Sequence, residues 1–157
     1  RGWEAPQQYM WEHNDDVRIW HDKPSEGGQG LIFLCNDPAK FANPANDRVK
    51  TLAGYEELGL LPPTNGYISA MGFANGWSFP NSIVGGASNK GYCDYFWRPS
   101  VTDDNNAEGW YQLLSAAYAS NAENSGVRCA STNTRCATTN ANYGFPLCLE
   151  FSASEGI

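Results

Sequence analysis

The stretch "ENSGVRCASTNTRCATTNANYGFPLCLEF", residues 123–151, sets the fold expectation. Two apolar phrases, GVRC and YGFPLCLEF, enclose a run of Ser, Thr, Asn and Ala. So polar a run between cysteines reads as a loop held by two strands. The apolar residues and cysteines of the flanking phrases would anchor a sheet. The small polar side chains of 130–142 would then face outward, where packing does not constrain them.

Further strands are expected upstream. VRIW (17–20) and GLIFLC (30–35) are short apolar runs, and the second is continuous enough to be buried on both faces. The segment 36–47 is punctuated by prolines and reads as a loop. NDRVKTLAGYEELG (46–59) has the strongest helical pattern. Asn46 or Asp47 can cap it, Val49, Leu52, Ala53 and Leu60 recur at helical spacing, and Gly59 can end it. From 66 to 151 the chain is rich in glycine and turns, broken by short apolar phrases, and reads as a long irregular middle followed by strands. The expected fold class is α+β: a small twisted antiparallel sheet, one or two helices and long glycine-rich loops.

Composition narrows the function. The chain has 157 residues, which fits a single domain, 1–157. Hydrophobic residues make up 41%, enough to exclude a disordered protein. The net charge is −7 and no basic stripe occurs, so nucleic acid is not an expected partner. No apolar run approaches the roughly 20 residues needed to span a bilayer, so membrane insertion is not expected either. The first residue is Arg1, and we expect a processed product or the C-terminal piece of a longer protein. Five cysteines (Cys35, Cys93, Cys129, Cys136 and Cys148) include no C-x-x-C pair, which removes support for a zinc ribbon or a thioredoxin-like site. Cys129 and Cys136 could close a short loop. Buried free thiols and one or two disulfides stand level as readings of the set.

Catalytic and metal motifs are sparse. The segment 11–22 gathers His13, His21, Glu12, Asp15, Asp16 and Asp22 without an H-E-x-x-H spacing, which suits a surface turn beside a strand. The acidic, Asn-rich turn at 103–106 suits solvent. No G-x-S-x-G elbow occurs, and nothing in the spacing pairs a cysteine with a histidine.

LPPTNGY (61–67), GGASNKGYCDYFW (85–97) and GWYQLLSAAYASNAENSGVRC (109–129) together resemble the Fibrobacter succinogenes major paralogous domain family. That family runs from an LPxxGYR phrase through GxxGYYWSS to NGFSVRC. Gly85-Gly86-Ala87-Ser88-Asn89 and the phrase 143–149 are similar to the variable, receptor-binding proteins of diversity-generating retroelements. The resemblance covers roughly the last 90 residues. It departs at Trp97-Arg98-Pro99, where the family has W-S-S, and in the 28 residues that follow GVRC. It implies a C-type-lectin-like fold. The E-P-N, Q-P-D and W-N-D calcium motifs of such lectins do not occur, so binding should be calcium-independent and no cofactor is implied.

The remaining chemistry suits recognition. Trp77, Phe79, Tyr95, Trp97, Trp110 and Tyr111 lie in glycine-rich or polar surroundings, near Asn81 and Arg98. About half of these aromatics should fill the core, and the others should supply contact area at low entropic cost. Asn121, Asn124, Asn133, Asn140, Asn142 and Tyr143 fit the residue alphabet of retroelement-diversified loops. The expected protein is a non-enzymatic recognition domain of a phage tail or bacterial surface protein, extracellular or on a virion. Its partner would be a cell-surface protein or glycan, met by the loops between about Gly76 and Tyr143. A virion-decoration or fimbrial subunit that forms a homo-oligomer is the first alternative. A formylglycine-generating-type enzyme is the second.

Overall fold

The computed structural model describes residues 11–44, 48–84, 94–99, 107–115, 124, 129–136, 138, 143 and 144. Its strands are β1 (Trp11–His21), β2 (Gly30–Leu34), β3 (Glu56–Leu60), β4 (Gly66–Ala74), β5 (Trp77–Val84), β6 (Tyr95–Trp97), β7 (Gly109–Ser115), β8 (Ala130–Ser131) and β9 (Tyr143–Gly144). Two 3-10 turns, Pro24–Glu26 and Pro38–Lys40, are the only other described elements. All nine described strands join one sheet in the order β3-β2-β1-β7-β8-β6-β4-β5, with β9 alongside β1. Two pairings, β1 with β9 and β6 with β8, are parallel, and the rest are antiparallel.

This overturns the α+β, C-type-lectin-like expectation. The fold is nearly all β, a single nearly closed sheet with no α-helix among its described elements. The helix expected over 46–59 is instead irregular chain from 48 to 55 followed by β3. Gly54 sits at φ +84°, a left-handed conformation that interrupts a helix. Val49 (57% exposed) and Leu60 (47%) face solvent, so their helical spacing was not a buried stripe. Tyr55 is held elsewhere: its hydroxyl donates to the Asp15 carbonyl at 2.8 Å and accepts from the Ala42 amide at 3.1 Å.

Alternation along the central strands divides the core in two. Val17, Ile19, Ile32, Leu34, Tyr111 and Leu113 point to the concave side, where Ile68, Phe79, Phe96 and Ala130 join them from the other half of the sheet. Trp20, Leu31, Phe33 and Trp110 point the opposite way and are covered by Tyr55, Leu52 and Ala42. Trp110 packs edge-on against Trp20 and Phe33, at 5.3 and 5.1 Å between ring centroids. Its indole N–H donates to the Val49 carbonyl. The strand expectation for 30–35 holds: every residue of GLIFLC is buried.

The irregular middle expected from 66 onward contains the longest hairpin among the described residues. β4 and β5 pair around Asn75-Gly76, at φ +49° and +83°, a two-residue turn that only such residues accept easily. The Phe79 ring of β5 lies over Gly72, its cross-strand partner. The same ring reaches Gly59 of β3, the opposite edge of the sheet. Phe79 thus plugs the seam where the sheet falls short of closure.

The opening stretch also departs from expectation. Ser131, Thr132 and Thr134 are buried, Thr132 completely, while Asn133 and Thr138 are exposed. Cys129 and Cys136 are buried and unbridged, as is Cys35. Residues 125–128 and 145–151 of the flanking phrases lie outside the described residues.

Candidate functional site

Two regions carry exposed or unspent chemistry: the outer surface of β4, β5 and β6, and a polar cluster at one end of the concave side.

On the first, no charged residue occurs from 58 to 89, although the chain as a whole carries 27 Lys, Arg, Asp and Glu (10 basic plus 17 acidic). Phe73 is 76% exposed, the most exposed large apolar side chain described. It stands opposite Ser78, also exposed, one pair away from the Asn75-Gly76 turn. Asn81 and Ser82 are exposed further along β5, whereas Trp77 is half-buried and packs inward against the concave-side core. On β6, Tyr95 and Trp97 pack with their rings tilted at 52° and 4.7 Å between centroids, and Tyr95 meets Tyr67 edge-on at 5.0 Å. The Tyr67 hydroxyl donates to the Asn124 side chain at 2.7 Å.

The expected contact residues therefore separate. Asn81 and Asn133 are exposed, and Trp77, Tyr95, Trp97, Arg98 and Asn124 are partly exposed. Phe79, Trp110 and Tyr111 are core residues, at 5%, 2% and 2% exposure, and present no face to a ligand outside. Tyr143 lies in β9. Asn121, Asn140 and Asn142 lie outside the described residues. Sequence reasoning missed Phe73, the barest aromatic. The Asn-Gly dipeptide beside it, between apolar runs, is a strong hairpin signal and would have placed Phe73 beside a turn.

The second region begins with His21, which shares the concave parity of Val17 and Ile19. Its ring lies over Gly30, its partner across β2, where any Cβ would come within 2.9 Å. Tyr111 meets the ring edge-on at 4.9 Å. The Thr132 hydroxyl donates to the Trp97 carbonyl at 3.2 Å. With the hydroxyl proton so placed, its oxygen accepts from His21 Nε2, 3.1 Å away. In this arrangement the imidazole proton sits on Nε2 and Nδ1 is a lone-pair acceptor. Burial, reinforced by the Arg98 and Arg135 charges, pushes the His21 pKa down to about 3, so the ring is neutral. The Arg135 guanidinium lies over the Tyr111 ring at 4.5 Å and donates to the Glu108 carbonyl. Arg98 donates from Nη1 to the Pro63 carbonyl and from Nη2 to the Gly28 carbonyl. Ser131, Thr132 and Thr134 thus enter the interior, where their small hydroxyls fit between large side chains, while Asn133 between them stays exposed.

No thiol in the described residues is poised as a nucleophile. Burial pushes the Cys136 pKa up to about 12, and Cys35 and Cys129 are also buried. No group of three metal-ligating side chains converges among the described residues. No described helix is long and apolar enough to cross a membrane. Against known proteins, no family model, no curated protein and no solved structure matches the chain. The family resemblance of the second half therefore rests on its phrases alone.

Proposed function

We propose that the chain is a non-enzymatic recognition domain that docks a neutral surface of a cell-exposed partner through the β4–β5 hairpin and the neighbouring outer face of β6. The carrying observation is the exposed Phe73 on a hairpin without a single charged residue, in a chain of net charge −7. An exposed aromatic beside a two-residue turn, flanked by Ser and Asn, supplies contact area and adaptable hydrogen bonds. The sheet edges count against strand-mediated polymerisation. β5 carries Pro80 and β3 carries Glu56 and Glu57, all of which discourage strand addition. Calcium-independent binding and an extracellular or virion-surface location belong to this reading.

The test is binding of purified chain to cell panels and to immobilised surface proteins and glycans, with and without chelator. Phe73→Ala should weaken binding by roughly thirtyfold, as for a hot-spot aromatic worth about 2 kcal/mol. Its folding stability should stay within about 0.5 kcal/mol of the parent. Retained affinity in Phe73→Ala, or loss of binding with chelator, would overturn the reading.

A further inference from the structure

The polar cluster at the end of the concave side contains two buried polar atoms that nothing satisfies among the described residues: His21 Nδ1 and Arg98 Nε. Burial without a partner is costly for either group, and more so for a charged one. The two belong to one locality. The Thr132 oxygen accepts the hydrogen bond from His21 Nε2, and the Thr132 amide and hydroxyl both donate to the carbonyl of Trp97, the residue before Arg98. The Arg98 fork reaches Gly28, and the His21 ring lies over Gly30, two residues on. His21 is only 2% exposed, whereas Arg98 is partly exposed.

The chemistry of the pair is asymmetric. With its proton on Nε2, His21 offers Nδ1 as an acceptor and demands a donor. Arg98 Nε is a donor and demands an acceptor. Both Arg98 Nη contacts go to backbone carbonyls, and among the described residues no carboxylate pairs with this guanidinium. A second guanidinium, Arg135, stands nearby over Tyr111. A plain carboxylate would satisfy Arg98 but oppose the Nδ1 lone pair. A neutral alcohol would satisfy both hydrogen bonds but leave the charge uncompensated.

We propose that His21 and Arg98 form a binding site for a small anion that also carries a hydroxyl, such as a monohydrogen phosphate group or an α-hydroxycarboxylate. Its O–H donates to His21 Nδ1 and its anionic oxygen accepts from Arg98 Nε. The site is independent of the β4–β5 face.

The experiment is a calorimetric titration of the intact chain with inorganic phosphate, glycolate, sulfate, acetate and glycerol at neutral pH, with nitrogen NMR of the His21 ring. Phosphate or glycolate should bind roughly tenfold or more tightly than sulfate or acetate, the difference expected of one hydrogen bond in a charged site. The Nδ1 resonance should move on binding. Which of the two binds tells a phosphate source from a carboxylate source. Arg98→Gln should lose the affinity by a similar factor, and should this variant fail to fold, the selectivity series and the Nδ1 signal decide alone. Equal binding of all four anions without an Nδ1 shift, binding of glycerol as tightly as of phosphate, or no binding by any probe would each overturn the proposal.

Discussion

The buried neutral imidazole of His21 makes a sharp prediction about acid stability. An unfolded histidine titrates near 6.5, and His21 in the fold titrates near 3. As pH falls below 6.5, the unfolded chain takes up a proton that the folded chain refuses. Stability that is present above pH 6.5 is therefore lost on acidification, with a limiting slope of about 1.4 kcal/mol per pH unit. Between neutrality and pH 5 the loss integrates to about 2 kcal/mol, a sizeable part of the stability of a typical domain. The window should stop at pH 5. Below it carboxylates titrate, and Asp16, whose pKa burial raises, acts in the opposite sense. The assay is urea unfolding followed by tryptophan fluorescence at pH 7, 6 and 5, for the parent and for His21→Gln. Glutamine can still donate toward Thr132 but does not titrate. The variant should be less stable at pH 7 and should lose about 2 kcal/mol less on going to pH 5. Parallel pH profiles for parent and variant, or a His21 ring that titrates near 6.5 in the native state, would refute the buried neutral assignment.

Other perturbations test the seam, the thiol and the turn. A Cβ on Gly72 would lie 2.8 Å from the Phe79 ring, so Gly72→Ala should cost about 1–3 kcal/mol in chemical denaturation. In a Phe79→Leu background that cost should shrink, giving a non-additive double-mutant cycle. Cys136 should resist thiol reagents in native protein and react on unfolding. Because its folded pKa is raised to about 12, its contribution to stability is present below about pH 9 and falls as pH rises toward 12. Gly76→Ala meets no atom within 4 Å, so its cost should be purely conformational, about 1 kcal/mol for forcing φ +83° on an L side chain, read as a lower melting temperature.

Much of the front half was legible locally. VRIW and GLIFLC declared strands through their own continuous apolar runs, and β1 and β2 pair directly, although the residues that cover both faces come from remote segments. The helix over 46–59 misled because spacing records where apolar residues stand, not what covers them. Val49 and Leu60 remain in solvent, whereas Tyr55 finds partners at Asp15 and Ala42, far along the chain. For the candidate contact face, the aromatic and Asn content was visible, but Phe73 and Phe79 carry the same side chain six residues apart on one hairpin. One is bare and the other plugs the seam, because only Phe79 faces Gly59 and Gly72.

By itself the sequence determined the components: continuous apolar strands, an Asn-Gly dipeptide suited to a hairpin turn, an uncharged stretch from 58 to 89, and a polar run between cysteines. Only the tertiary structure decided where that run goes. Thr132 meets His21 across 111 residues of chain, and Ala130 and Ser131 pair in parallel with Phe96 and Trp97. Those contacts follow from the register of strands remote in sequence, which no local pattern encodes. In the closed interior a Ser or Thr is not a bland surface residue. It is the small hydroxyl that lets a histidine, a tyrosine and two arginines share one end of the sheet.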